Sequence, residues 1–169
     1  QVLNMEVLDN LELGDWDRAV SCAEEAKRLA RETGQPLFNT GSLSLHAMIV
    51  ALRGDNEQAQ SMANEVESAA GSRRLNNLLC CVQLIRGFGL ISQGQHTEAY
   101  EALCRAFDPA DPSFHLADRY HGVMFLAEAA AHAGRVKEAR EVIAGLEAEA
   151  ATTPAPILHR QLSYARVVL

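Results

Sequence analysis

Four glycines recur at a constant spacing of 40 residues along this 169-residue chain: Gly14, Gly54, Gly94 and Gly134. An alanine follows each of them by five residues, and every residue nine, twelve or sixteen positions after them is alanine or another aliphatic residue. These offsets share one face of an α-helix. Columns in one common register indicate internal repeats, which constrain the fold more strongly than any short motif. The columns are Ala19, Ala59, Ala99 and Ala139; Ala23, Ala63, Leu103 and Ile143; Ala26, Val66, Ala106 and Leu146; Ala30, Ala70, Ala110 and Ala150.

Two further columns precede each glycine. Large apolar residues lie nine positions before it, and smaller residues lie seven positions before it. The unit is therefore predicted to be a helix, a turn at the glycine and a second helix, because glycine readily takes the left-handed conformation that ends a helix. Asp15 and Asp55 follow two of these glycines and are expected to cap the second helix. The columns are Met5, Leu45, Ile85 and Phe125, then Val7, Ala47, Gly87 and Ala127.

The pattern predicts an all-α fold of about nine helices, arranged as a right-handed solenoid of antiparallel helix pairs. We expect one repeat domain over residues 1–169, with repeats at about 1–34, 35–72, 73–112 and 113–153 and an extra helix at 154–169. We also expect this domain to be part of a longer protein, because the chain opens inside a helical pattern. The predicted helices span residues 1–13, 16–33, 37–53, 56–70, 73–93, 96–108, 113–133, 136–151 and 156–169.

Charge and hydropathy exclude several classes of function. The net charge of −7 argues against direct nucleic-acid binding, which depends on clustered Lys and Arg. No stretch approaches the roughly 20 apolar residues that cross a bilayer, and the N-terminus lacks the order of a secretion signal. The sequence is therefore interpreted as soluble and cytoplasmic, without membrane contact.

The sequence carries no recognised catalytic motif. It has neither a phosphate-binding loop nor a metalloprotease motif, and its four cysteines lack metal-ligand spacing, so we expect free thiols in a reducing compartment, with a redox switch as the alternative. His121, Glu128 and His132 are candidates for a metal or acid–base group on one helix face, and a solvated or groove-lining patch is the simpler interpretation. We predict a non-enzymatic protein without cofactor or metal.

The segment GDWDRAVSCAEEAKRLA resembles the second half of a tetratricopeptide repeat, although the period here is 40 residues and not 34. The segments QGQHTEAYEALCRAF, AEAAAHAGRVKEAREVIAGLEAEAA and ILHRQLSYARVVL resemble the helical sensor region of large ATP-binding bacterial regulators of the LuxR type. That resemblance implies a nucleotide-binding module before the repeats and a DNA-binding helix-turn-helix after them. It implies a function in coupling the binding of an effector or partner to transcription.

The resemblance to tetratricopeptide repeats also implies a concave groove lined by the first helix of each pair. Such a groove would suit a protein or peptide partner, or a small apolar effector. The alternative for these residues is that they form packing core. The alternative function is a free-standing adaptor that assembles proteins through the groove or the open terminal face, and a homo-oligomer through the terminal helix is a further candidate interaction. Trp16 is expected to pack between adjacent units, with an interaction anchor as the alternative. The implied groove residues are Asn4, Leu8, Ser44, Met48, Cys81, Leu84, Phe88, His121, Met124 and Glu128.

Overall fold

The computed structural model describes residues 2–71 and 73–169, and this part of the chain is all-helical, with no strand. Gln1, in the first predicted helix, and Ser72, in the predicted break between the second and third repeats, lie outside the described residues. The prediction of an all-α fold is confirmed. The α-helices are α1 (Val2–Leu13), α2 (Trp16–Glu32), α3 (Pro36–Leu52), α4 (Asn56–Gly71), α5 (Asn76–Ser92), α6 (His96–Phe107), α7 (Val123–Ala133), α8 (Val136–Ala150) and α9 (Pro156–Val168).

The helix boundaries follow the predicted ones to within three residues, except at the start of the seventh helix. Residues 113–133 were predicted to be one helix, which is wrong in its first ten residues. A 3-10 helix spans Asp118–Gly122, and the α-helix begins only at Val123. His121 therefore lies on the 3-10 helix and does not share an α-helical face with Glu128 and His132.

Side-chain contacts explain why the chain before α7 is not α-helical. The Asp111 carboxylate accepts the backbone N–H of Ser113 at 2.7 Å, and the Arg119 guanidinium carbon lies 4.9 Å from the centre of the Phe114 ring. An aspartate that bonds a nearby backbone N–H offers the chain an alternative to the helical ladder. Arg119 also pairs with Glu149 of α8, which anchors this turn to the helix after α7.

The turn inside each repeat forms as the glycine column predicts. Gly14, Gly54, Gly94 and Gly134 all have left-handed backbones, with φ between 71° and 85°. Asp15 accepts the backbone N–H of Arg18 at 3.2 Å, and Asp55 accepts that of Gln58 at 3.3 Å. Both predicted aspartate caps are thus confirmed.

The first two turns between repeats also contain a left-handed residue, which is a glycine in one and an arginine in the other. Gly34 has φ 65°, and the residue 40 positions later in the register, Arg74, has φ 51°. A side chain at positive φ is strained by about 1–2 kcal/mol because its Cβ approaches the following carbonyl oxygen.

The columns of the repeat form the buried faces of the second helices. Every residue of the four columns after the glycines is buried except Ala110, which is exposed and lies beyond the end of α6. The small residues seven positions before the glycines are also buried, whereas Met5, in the large apolar column, is 62% exposed on α1. The buried small and large side chains of these columns pack α5 against α6, and they pack the other pairs of consecutive helices in the same way.

The odd-numbered helices form a continuous layer. Each helix from α1 to α7 packs against the next along the chain, and α1 also packs on α3, α3 on α5, α5 on α7, and α7 on α9. The 3-10 helix contacts α5, α7 and α9 in this layer. In the described part of the chain, no helix has the length and apolarity that crossing a bilayer requires.

Candidate ligand cavity

The odd-numbered helices surround a cavity of about 290 Å³. This volume is close to the lower end of the range for small-molecule sites, about 300–1,000 Å³. All five odd-numbered helices contribute, so residues from both ends of the chain meet around one space. The lining residues are Leu8 and Leu11 of α1, Trp16 of α2, Met48 and Leu52 of α3, Phe88 of α5, His121 of the 3-10 helix, Met124 and Phe125 of α7, and Arg160 and Gln161 of α9.

Most of the wall is apolar. Met48 and Leu52 are four residues apart, so they lie one above the other on the same face of α3. The rings of Phe88 and Phe125 meet across α5 and α7, with centroids 4.1 Å apart and planes inclined by 43°. This tilted contact is a favourable aromatic geometry. Methionine adds a flexible, polarisable surface that adapts to different ligand shapes.

The polar lining residues come from α9 and the 3-10 helix. Gln161 Oε1 accepts the backbone N–H of Met124 at 2.9 Å, which satisfies a donor in the first turn of α7 and fixes α9 beside it. Arg160 is exposed at the edge of the cavity, and His121 is half-buried. Both side chains also interact with other groups of the protein. The cavity therefore has an apolar body and one polar end.

The structure brings half of the ten predicted groove residues around this cavity. Those that line it are Leu8, Met48, Phe88, His121 and Met124. The other half lie elsewhere: Asn4, Ser44, Cys81, Leu84 and Glu128.

Those five residues have other roles. Ser44 donates to the carbonyl of Gly41 at 2.7 Å, and Cys81 and Leu84 are buried in the main core. Asn4 Oδ1 accepts the hydroxyl of Ser42 at 2.8 Å, which ties α1 to α3. The Ser44 bond lies within α3, whereas Cys81, Leu84 and Asn4 contribute to packing between helices.

Sequence reasoning missed six lining residues. Leu11 and Leu52 lie three and four residues after predicted members, so helical periodicity contained their signal. Gln161 lies 40 residues after His121, so the repeat register contained its signal, but no groove residue was assigned to the extra helix at 154–169. Arg160 carried no such signal. The remaining two are Trp16 and Phe125. Trp16 is half-buried at the beginning of α2 and lines the cavity from that side.

A polar cluster joins α6, α7 and α9 outside the cavity. The rings of His96 and His132 stack with centroids 4.4 Å apart, and His132 Nε2 lies 3.3 Å from Glu128 Oε1. Tyr164 donates its hydroxyl to Glu128 at 2.7 Å, and this bond, with a smaller contribution from His132, lowers the pKa of the Glu128 carboxyl. Among the described residues, no group of three or more His, Cys, Asp or Glu is arranged to hold a metal ion.

The four cysteines are free thiols, as predicted. Cys22, Cys80 and Cys81 are buried, and Cys104 is partly buried. Burial raises the pKa of Cys80 to about 12 and that of Cys81 well above its ordinary value. Since the thiolate is the nucleophile, these two thiols are poorly reactive in the folded protein.

No protein-family model matches the chain, and no curated protein or solved structure shows significant similarity to it.

Proposed function

We propose that this chain is a non-catalytic binding domain that holds a small effector in the cavity between its odd-numbered helices. The observation that carries the proposal is that side chains from α1, α3, α5, α7 and α9 all line one apolar space. A ligand in that space contacts both ends of the chain at once. Its binding energy can therefore favour one arrangement of the helices over another.

The proposal includes an architecture and a biological role. The 40-residue register and the layer of odd-numbered helices support a right-handed solenoid of tetratricopeptide-like pairs. The resemblance to LuxR-type regulators supports a sensor segment that couples effector binding to the control of transcription in a bacterium. In that role, the ligand would shift the relative positions of α1 and α9, and flanking modules would respond to the change.

Binding in the cavity is tested with 1-octanol, a neutral apolar probe. Trp16 is the only tryptophan in the chain and lines the cavity, so its fluorescence reports occupancy directly. We expect a saturable change in emission with a stoichiometry of one. Leu11→Phe, which fills part of the cavity, should weaken octanol binding several-fold. Leu13→Phe is the matched control, because Leu13 lies on the same helix but is 81% exposed.

Equal octanol affinity in the two variants, or no saturable change in the wild-type protein, would show that the cavity is not a binding site. The regulator role is tested separately by the coding sequence on both sides of this segment. A phosphate-loop motif upstream and a helix-turn-helix downstream are expected. Start and stop codons close to the two ends would contradict this role.

A second candidate function is a protein-binding adaptor, which an exposed apolar surface favours. Leu29, Leu37 and Phe38 are 38%, 48% and 43% exposed, and they lie around two shallow depressions near α3. Large exposed apolar residues grouped in this way are typical of interaction surfaces. If this surface mediates association between copies, Phe38→Ser should abolish concentration-dependent association in sedimentation experiments and leave octanol binding unchanged. Sedimentation as a monomer at all concentrations would contradict self-association.

A further inference from the structure

A lysine amine and a histidine ring meet where α2 packs on α3, and neither residue lines the cavity. Lys27 Nζ lies 2.7 Å from His46 Nδ1. His46 is only 8% exposed, whereas Lys27 is half-buried, so part of its side chain is open to solvent. Ala23 and Ala30, one turn before and after Lys27 on α2, are buried. The pair therefore lies at the edge of the core, within reach of a small molecule from solvent.

The hydrogen bond shows which of the two groups acts as the base. An ammonium has three N–H donors and no acceptor, so the neutral His46 ring accepts through its Nδ1 lone pair. His46 is mainly neutral at pH 7, because burial, and to a smaller extent Lys27, lowers its pKa from 6.5. A general base takes a proton from a group at about 2.6–3.2 Å. His46 Nδ1 is therefore placed to remove a proton from the Lys27 amine.

The surroundings of Lys27 favour its free amine, which is the nucleophilic form of a lysine. Burial is the main cause that lowers the pKa of this amine. The charged residues that act on the pair come from α2, from α4 and from the end of α3, and two are acidic and two basic, so burial decides the direction. They are Glu24, Arg31, Glu65 and Arg53. A partly desolvated lysine of this kind is a typical site of amine chemistry.

We propose that Lys27 is a site of covalent acylation by small acyl thioesters, with His46 as the general base. One proton of the ammonium passes through His46 Nδ1 to solvent, which leaves the free amine. The amine nitrogen then attacks the carbonyl carbon of the thioester, so that the N–C bond forms and the C–S bond breaks. The thiolate leaves with the electron pair of that bond and takes up the second proton. The products are an amide at Lys27 and a free thiol.

Acylation would change the contact between α2 and α3. The amide product carries no charge, and its one N–H can still donate to His46 Nδ1. The modified side chain therefore keeps a hydrogen bond of the same direction, while the electrostatic balance around it shifts towards the two glutamates named above. The site is thus a place where an acyl donor can alter the charge between two packed helices.

The chain contains its own control for a test of this proposal. It has two lysines, and Lys137 is exposed on α8. The full 169-residue protein is incubated at pH 7 with N,S-diacetylcysteamine, a small acetyl thioester, and acetylation at each lysine is followed by mass spectrometry of proteolytic fragments. General-base catalysis contributes about 10²–10⁴-fold, so we expect Lys27 to react at least tenfold faster than Lys137. Equal rates, or a slower reaction at Lys27, would overturn the proposal.

The role of His46 is tested with His46→Gln. Glutamine can accept the same hydrogen bond but does not take up a proton at neutral pH, so the acetylation rate of Lys27 should fall at least tenfold. The rate at Lys137 in the same molecule should stay within about twofold. His159→Gln is the matched control, because His159 is exposed on α9, and it should leave both rates unchanged. An unchanged Lys27 rate in His46→Gln would show that His46 is not the base.

The pH profile of the wild-type protein distinguishes chemistry from a purely structural hydrogen bond. The acetylation rate of a lysine rises with pH until its amine is fully deprotonated, which for a lysine at its ordinary pKa occurs near pH 10.4. The rate at Lys27 should level off at a lower pH than the rate at Lys137. Profiles that coincide would overturn the proposal. This comparison requires no variant, so it decides the question even if His46→Gln does not fold.

Discussion

Replacement of Gly87 by alanine should destabilise the protein through one specific contact. Gly87 is in α5, in the column of small residues, and packs against the fully buried Leu103 of α6. A Cβ atom at Gly87 would lie 2.4 Å from Leu103 Cγ and 2.5 Å from its Cδ2. Favourable carbon–carbon contacts lie at about 3.5–4.0 Å, so α5 and α6 must move apart or Leu103 must change rotamer.

The expected cost is about 2 kcal/mol in the free energy of unfolding. Overpacking a well-filled core costs about 1–3 kcal/mol, and a 2.4 Å contact belongs at the upper end of that range. Alanine recovers about 1 kcal/mol because its helix propensity exceeds that of glycine. For a chain of this length, a loss of 1 kcal/mol lowers the Tm by about 2–4 °C, so Gly87→Ala should lower it by about 4–8 °C. Circular dichroism at 222 nm during urea and thermal unfolding measures both quantities.

Two further variants isolate the contact. Gly145→Ala is the control: Gly145 is an exposed residue of α8 with open space around its Cβ position, so alanine should stabilise by about 0.5–1 kcal/mol. Leu103→Ala alone should cost about 2–5 kcal/mol. The double variant should cost about 1–3 kcal/mol less than the sum of the Gly87→Ala and Leu103→Ala costs, because the added methyl group then fills the space that the Leu103 side chain vacates. Additive costs, or a Gly87→Ala variant as stable as Gly145→Ala, would refute the reasoning.

Three other predictions concern single sites. Arg74→Gly should raise the free energy of unfolding by about 1 kcal/mol in urea titration, because it removes the strain of a positive φ; a loss of stability would contradict this. Burial, and to a smaller extent Lys27, lowers the pKa of His46. The unfolded chain therefore binds this proton more readily, and stability should fall as the pH drops below about 6.5, less steeply in His46→Gln than in the wild type. An aromatic disulfide reagent should label Cys80 and Cys81 only as fast as the protein unfolds, whereas rapid labelling located by mass spectrometry would show that burial does not protect them.

The sequence predicts those features that depend on local periodicity. The spacing of Ala19, Ala23, Ala26 and Ala30 identifies the buried face of α2 because a helix repeats every 3.6 residues. The glycine column identifies the turns because a left-handed residue at the end of a helix favours glycine. The same reasoning fails at residues 113–122, where the carboxylate of Asp111 and the guanidinium of Arg119 bond to neighbouring groups in a turn that the apolar pattern does not reveal.

The candidate site is only partly contained in the sequence. Leu8, Met48 and Phe88 could be predicted because equivalent positions of successive repeats face the same side. Gln161 shares the register of His121, 40 residues earlier, so it could have been predicted too. Arg160 could not, because the residue 40 positions before it, Tyr120, does not line the cavity. Glu128 was expected to line the groove, yet it bonds to Tyr164 outside the cavity.

For this protein, the amino-acid sequence by itself determines the helices, their buried faces and their turns, since each depends on residues a few positions apart. Only the tertiary structure decides that α1 and α9 contribute to one cavity. The distance between α1 and α9 depends on the angle at which each helix packs on the next. Each of these angles depends on the sizes of the side chains that meet there, as at Gly87 and Leu103. A sequence pattern indicates which residues are buried, but the distance between α1 and α9 depends on all the contacts between helices together.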